Sequence, residues 1–260
     1  MNIHLVYVCP VVNWPQFEPA TRRFVSTFKQ FPPEFPHTLH VVCNGGKPNA
    51  MVADLFAGLN PVFHEHDNGG WDIGAYRKVA GEVDADFMLF LNAHSHFRQA
   101  GWLRRLAAGA EQFGPGLYGP SASFDIAPHI RTTAFMCRPQ LVRDWTGSLS
   151  QPDDRHYFEV GRQSITSLAG RQNMPCVLVT WEGFYPQPDW RKPANIFRRG
   201  DQSNCLIYDR HHEIYEASTP AQKDRLGRIA DGDKWSYYHS AVREKLNRWL
   251  NRKTSLCIHI

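Results

Sequence analysis

The chain has 260 residues, 42% hydrophobic and 21% charged, with a formal net charge of +4. That is an ordinary globular composition with ample length for a large core, and no internal repeat or low-complexity tract interrupts it. The charge is too mild to demand a nucleic-acid partner, though it suits anionic substrates. The six cysteines, Cys9, Cys43, Cys137, Cys176, Cys205 and Cys257, are scattered without zinc spacing, and a reducing cytosol is their expected home. No basic segment precedes the first strand-like run, so no signal peptide is expected. No apolar run approaches the ~20 residues that span a bilayer.

Residues 3–9, Ile-His-Leu-Val-Tyr-Val-Cys, read as a buried strand that Pro10 ends. Phe24, Val25, Phe28 and Phe31 fall at helical spacing, predicting a crossover helix over 21–31. The run Phe31-Pro32-Pro33-Glu34-Phe35-Pro36 cannot continue it. A second strand is expected over 37–43, tipped by Asn44-Gly45-Gly46. Strand, helix and strand in that order predict a βαβ unit and an α/β protein. A short helix over 51–59 and a third strand over 61–65 follow.

Asp67 to Arg77 is a loop leading into a helix, and its glycines allow positive φ or close backbone approach. Asp72 stands where it would cap that helix, whose Ile73, Tyr76, Val79 and Val83 recur at helical spacing. Phe87 to Leu91 is apolar without alternation, as expected of a strand covered on both faces. It breaks off into Asn92, His94, Ser95 and His96. Ligands of open α/β sheets bind outside the carboxyl ends of strands, so this polar tip is a candidate site.

Further on, Trp102, Leu103, Leu106 and Ala110 predict a helix over 101–113, followed by strands over 117–124 and 132–137. Residues 141–149 are ambiguous, and 153–161 are polar with aromatic interruptions. A helix over 162–170 and a strand over 176–180 come next, and 183–204 read as a long ordered loop. In 234–253, Trp235, Tyr238, Val242, Leu246, Trp249 and Leu250 share one helical face, with six basic side chains against Glu244 on the other. This basic amphipathic helix suits an anionic membrane surface. The favoured reading is a terminal helix docked on its own domain with the basic side in water, because amphipathic helices most often face their own core.

The stretch Asn68-Gly69-Gly70-Trp71-Asp72-Ile73-Gly74-Ala75 has the form Asn-x-Gly-x-Asp-x-Gly-Ala, and Leu91-Asn92-Ala93-His94-Ser95 supplies a strand end in the manner of Leu-Asn-x-Ser. With the loop, helix, strand and tip around them, these motifs resemble those of GT-A-fold glycosyltransferases, polysaccharide-assembling members in particular. The resemblance spans about 1–215. It implies a single GT-A-like, Rossmann-like α/β domain with a mostly parallel central sheet flanked by helices. Residues 1–97 would be the nucleotide-sugar half, 98–215 the acceptor half and 216–260 a C-terminal helical extension. It further implies an inverting transferase that moves a sugar from a nucleoside diphosphate donor to a glycan or lipid-linked glycan in surface polysaccharide assembly. Such a protein would be cytoplasmic, with the 234–253 helix available for peripheral membrane contact.

Carried onto this sequence, the resemblance puts Cys9, Pro10 and Asn44 beside base and ribose, and Asn68 and Asp72 beside ribose or sugar hydroxyls. Arg77, Asn92 and His94 would face the diphosphate. Plainer readings stand beside these: Asn44-Gly45 as a turn, Asp72 as a cap, Arg77 as a solvated arginine. The family's usual Asp-x-Asp metal motif is replaced by Asn92 and His94, so no metal is fixed. Mn²⁺ or Mg²⁺ stays compatible with the site, with His94 and His96 as ligands, since residues two apart on a strand point the same way. The favoured alternative is histidine contact with the diphosphate without an obligatory metal, and a third is that His94 alone faces the site with His96 on the surface. Glu159 is the expected general base, with Asp154 and Asp153 as runners-up, or all three cap the next helix. His129, Arg131 and Trp181 would line the acceptor side, Trp181 with Phe184, Tyr185 and Trp190 as a stacking wall or as core aromatics. Gln202, Asn204, Asp209 and His211 would close over the donor.

Three rival readings remain. One is a catalytically inactive relative that binds nucleotide or glycan. Another is a nucleotidyltransferase, opposed by Pro10-Val11-Val12-Asn13-Trp14-Pro15 where a glycine-rich basic phosphate loop belongs. The third is a nucleic-acid binder using the terminal helix, which no other motif supports.

Overall fold

A computed structural model describes residues 1–151 and 154–233. The elements are β1 (Ile3–Pro10), α1 (Trp14–Gln30), β2 (His37–Asn44), α2 (Ala50–Leu55), β3 (Val62–His66), α3 (Trp71–Glu82), β4 (Phe87–Leu91) and α4 (Trp102–Phe113). There follow β5 (Leu117–Gly119), β6 (Ala122–Ser123), β7 (His129–Ile130), β8 (Ala134–Cys137), α5 (Pro139–Arg143), α6 (Asp154–Glu159) and α7 (Ile165–Arg171). The last are β9 (Cys176–Val179), β10 (Phe184–Pro186), a 3-10 turn (Asp189–Arg191), α8 (Arg210–Glu216) and α9 (Pro220–Ala230).

Eight strands make one mixed, mostly parallel sheet in the order β10-β9-β5-β8-β4-β1-β2-β3, while β6 and β7 form a separate ribbon. β1 is parallel to β2 on one side and to β4 on the other, and β2 is parallel to β3. β8 runs antiparallel between β4 and β5. The β-branched and aromatic residues of β1 and β4 are apolar on both faces because helices cover both. Leu5, Tyr7, Leu89 and Leu91 face α1 and α4; Val6, Val8, Met88 and Phe90 face α3, α5 and α7. Phe90 stacks on Phe135 of β8 at 4.9 Å and meets Tyr76 of α3 at 5.0 Å. Burying a ring of that size contributes about 1.5–3 kcal/mol and fixes α3 against the sheet.

The strands and helices up to α4 fall where the hydrophobic pattern predicts them, except that the short helix expected over 51–59 ends at Leu55 and the first helix starts early. The first helix begins at Trp14 rather than near residue 21. Pro15 occupies its first turn, where a missing N–H costs nothing, so this proline starts a helix instead of breaking one. The polar segment after 153 contains α6, and the stretch expected as a loop over 183–204 contains β10 and the 3-10 turn. Among the described residues no helix is long and apolar enough to cross a membrane. Cys9, Cys43, Cys137, Cys176 and Cys205 are buried thiols. The amphipathic helix expected over 234–253, Cys257 and Asp153 lie outside the described residues.

Candidate active site

Chain direction across the sheet diverges at β1, whose neighbours are β2 on one side and β4 on the other. At the carboxyl ends of these strands opens a cleft of about 310 Å³. Such a switch point is where open α/β sheets hold ligands. Val8 and Pro10 come from β1, Asn44 from β2, and Asn92, Ala93 and His94 from beyond β4. Val12, Asn13 and Phe17 border it from the start of α1, Asn68, Trp71 and Asp72 from the start of α3, and Arg155 from α6.

The loop before α3 is held in unusual backbone geometry. Asn68, Gly70 and Trp71 have φ of 73°, 72° and 54°, and the Trp71 N–H donates to the Asn68 carbonyl at 3.0 Å. A β-branched-free but bulky residue at positive φ is uncommon and gathers at sites where a ligand must be met. Gly74 is fixed by packing: a Cβ there would lie 1.8 Å from the Gly69 carbonyl oxygen. Asp72 is not the helix cap. Gly70 takes that position with no side-chain cap, and Asp72 falls in the first turn, where its Oδ1 accepts from the Ile73 N–H at 3.2 Å. Arg155 Nη1 is 3.7 Å from the same oxygen. Burial pushes the Asp72 carboxyl above its ordinary value, Arg155 pulls it down, and the nearby Glu159 charge pushes it up again, although the side chain retains 29% exposure.

Beyond β4 the chain turns rather than continuing as a strand. Asn92 Oδ1 accepts from the His94 N–H (3.0 Å) and the Ser95 hydroxyl (3.2 Å), an Asx turn. The Tyr7 hydroxyl ties this tip to β1 through the Ala93 carbonyl at 3.0 Å. The turn sends His94 into the cleft, tilted against Phe17 at 5.7 Å between ring centres. Burial, then Arg210, lowers its pKa, so the ring is neutral near pH 7. His96 goes elsewhere: it is buried, exchanges backbone hydrogen bonds with Tyr208 (2.9 Å each way), and its Nδ1 lies 3.2 Å from the His94 carbonyl. The expected pairing of His94 and His96 on one side is therefore corrected, because the alternation of a strand ends at Leu91. Among the described residues no three His, Cys, Asp or Glu side chains converge as a metal set. Asp72 is the one carboxylate among the residues lining this cleft, and His94 the one imidazole.

Asn44 is buried and bridges neighbours: its Nδ2 donates to Asn68 Oδ1 at 2.7 Å, and its Oδ1 lies 2.7 Å from His66 Nδ1. Cys9 does not line the cleft. It alternates to the opposite face of β1 from Val8 and packs in the core under α1, where burial pushes its thiol up to about 12. Arg77 is exposed and lies over the Trp145 ring, 6.0 Å from its centre, so it too is absent from the lining.

A second, smaller cleft of about 140 Å³ holds Glu159, His129 and Arg131. Glu159 Oε1 accepts from the Thr132 N–H at 3.3 Å and lies 3.9 Å from His129 Nε2. His129 Nδ1 is 2.8 Å from the Ala127 carbonyl, which favours a donor there, and its Nε2 faces Asp125 Oδ1 at 3.6 Å. Arg131 is nearly enclosed and paired with Asp209 at 3.0 Å. Asp154 serves α6 instead: its Oδ2 accepts from the Gln151 N–H (2.9 Å) and the hydroxyls of Ser148 and Ser150, and it lines neither cleft. Trp181 also lies apart, its indole N–H donating to the Cys205 carbonyl at 3.0 Å. Trp190 is fully buried, and Phe184 and Tyr185 pack against the two cores, so these aromatics form no wall at either cleft. Gln202, Asn204 and Asp209 are buried in the C-terminal segment, and of that set His211 alone reaches the second cleft.

Sequence reading passed over Arg155, Trp71, Phe17 and Arg198. Trp71 carried a signal, as a large aromatic inside the glycine loop. The others are brought in by tertiary placement.

No protein-family model matches the sequence, and no curated protein matches it. Distant solved structures are similar in part. Residues 1–349 of S. aureus TarS in complex with UDP are 12% identical, with 60% of this chain and 53% of that chain covered and a TM-score of 0.45. Mannosyltransferase PcManGT from Pyrobaculum calidifontis, in complex with GDP-Man and Mn²⁺, is 8% identical, with 60% and 50% covered and a TM-score of 0.41. CMP:2-keto-3-deoxy-manno-octonic acid synthetase complexed with CTP is 8% identical, with 60% and 83% covered and a TM-score of 0.43. This chain thus spans about half of the TarS and PcManGT chains.

Proposed function

We propose that the chain is a nucleotide-sugar-dependent glycosyltransferase acting by a single inverting displacement. One observation carries the reading: the two clefts share a wall. Arg155 of α6 lines the larger cleft, while His156 and Glu159 of the same helix line the smaller. Two adjoining sites, one at a sheet switch point and one holding a carboxylate, suit a reaction that joins two substrates.

In this reading the donor occupies the larger cleft, with base and ribose along Val8, Pro10, Asn44 and Asn68. The diphosphate meets Arg155, which offers a guanidinium fork, and the neutral His94, which offers one N–H. These donors stabilise charge as the diphosphate departs. Asp72 accepts from a ribose or sugar hydroxyl. The acceptor enters the smaller cleft, and Glu159 takes its hydroxyl proton as the new bond forms. A divalent cation would take most of its ligands from the diphosphate and water, beside Asp72. By the sequence resemblance, the acceptor is a glycan or lipid-linked glycan of surface polysaccharide, and contact with the membrane surface would come from residues 234–253.

A panel of UDP, GDP, CMP and dTDP sugars, with and without EDTA, tests donor class and cation need together. Hydrolysis or transfer is expected in the wild type and should vanish in folded His94→Ala and Glu159→Ala proteins. Full activity in both variants would reject the site. Nucleotide binding without turnover by the wild type would support the inactive-binder reading instead.

A further inference from the structure

The smaller cleft contains more cationic donors than its neighbours satisfy. Arg131 and Arg198 both line it and both lie over the Phe197 ring, 3.7 and 5.0 Å from its centre. Arg131 has 6% side-chain exposure, and one fork nitrogen is held by Asp209. Its Nη1 is buried without a partner among the described residues, and so is Arg198 Nε. A buried charged donor left unpaired is expensive, and two of them at one cavity are costlier still. The two carboxylates alongside, Asp125 and Glu159, each have one oxygen in a hydrogen bond. Asp125 Oδ1 accepts from the Ser123 hydroxyl at 2.7 Å, and Glu159 accepts from Thr132.

The backbone is built to keep Arg198 there. Arg198 sits at φ 55°, and its N–H donates to Gln202 Oε1 at 2.9 Å. Gln202 is itself at φ 60°, fully buried, and donates from Nε2 to the His212 carbonyl at 3.1 Å. Left-handed geometry at two large residues is retained where the surrounding structure over-determines it. His211, held down to about 4 by burial and then by Arg131, adds a neutral imidazole to the same lining.

We propose that this cleft takes an oxyanion borne by the acceptor, the carboxylate of a uronic acid or the phosphate of a sugar phosphate, between the Arg131 and Arg198 guanidiniums. At about 140 Å³, on the order of five water volumes, it has room for such a group with the part of a sugar ring that carries it. The proposal rests on reading this cleft as the acceptor side. It narrows the acceptor from any glycan to an acidic one, with the anion holding the sugar so that a hydroxyl meets Glu159.

The test is calorimetric titration of the whole chain with glucose, glucuronate and glucose 6-phosphate at fixed ionic strength, with inorganic phosphate as competitor. At least one charged sugar is expected to bind about tenfold tighter than glucose, and which one does separates carboxylate from phosphate recognition. Inorganic phosphate should displace it. In Arg198→Gln the preference should shrink towards parity. In the wild type, the Arg198 Nε–H nuclear magnetic resonance signal, assigned by its loss in Arg198→Lys, should move on titration, a readout that stands even if Arg198→Gln does not fold. Equal binding of all three sugars, an unmoved signal, or a preference that survives in folded Arg198→Gln overturns the proposal. None of these readouts needs turnover. Absence of transfer would defeat the two-substrate reading while leaving the oxyanion site standing, and absence of oxyanion binding would leave the donor panel untouched.

Discussion

The two clefts are neighbours, but they are put together differently. The larger is made of strand ends and the turns that leave them. Its turns are closed by bonds short in sequence, Asn92 to His94 and Ser95 and Asp72 to Ile73, and are tied across neighbouring strand ends by Tyr7 to Ala93 and Asn44 to Asn68. Beneath it lie β1, β2 and β4 in parallel register, Tyr7 opposite Leu91 and Pro10 opposite Asn44. The smaller cleft is tied by long-range side-chain bonds, Arg131 to Asp209 across 78 positions and Glu159 to Thr132 across 27. The first site is a property of the sheet. The second exists only when the C-terminal segment has docked.

The largest effect expected to probe this contrast is Arg131→Met. It strands Asp209, a carboxylate held well below its usual range, against burial, by Arg131 and His212. Breaking a buried pair from one side costs about 3–5 kcal/mol, readable by urea unfolding. Nucleotide affinity of the surviving folded protein should hold, and its parallel loss would break the distinction between the regions. Gly74→Ala should do the converse. Forcing a Cβ against the Gly69 carbonyl costs about 1–3 kcal/mol and displaces the loop carrying Trp71 and Asp72, so nucleotide affinity falls with stability. Next comes Arg155→Gln, expected to weaken nucleotide binding about tenfold while the melting temperature stays put, because its side chain is 47% exposed.

The smallest effect is graded and lies away from both clefts. His4 Nδ1 is 2.7 Å from His40 Nε2, His40 Nδ1 is 2.8 Å from His64 Nε2, and His64 Nδ1 is 3.4 Å from Glu82 Oε2. Neutral rings, each donating from Nδ1, satisfy this row. Burial depresses all three, His40 to about 4. The unfolded chain therefore takes up protons first as pH falls below about 6.5. The row's contribution is complete above that value and drains away between 6.5 and about 4. A His40→Asn protein should show a flatter fall in unfolding free energy across that window.

The same contrast explains what was legible. Parallel strands and their tips announce themselves as apolar runs ending in polar residues, so β1 through α4 were readable, as was the tip holding Asn92 and His94. Errors there were local: Pro15 hid the start of α1, and His96 was read as strand when the Asx turn had already begun. The resemblance puts Arg77 and Cys9 at the site, but helix phase and strand alternation turn them away from the cleft. Beyond residue 115 the strands shorten to two to four residues, too brief for a period to show. Arg198 had no local signal, because what makes it interesting is Phe197, Gln202 and a distant Arg131.

Helix α6 is six residues long and bears on both cavities at once. A unit so short has no slack in which to absorb a displacement of one side chain before the next one feels it. If a nucleotide draws Arg155 towards itself, the same small rotation re-aims Glu159. Thermodynamic reciprocity then requires that the second ligand alter the affinity of the first by the identical factor. The coupling between the two ligands would be written into about one and a half turns of backbone.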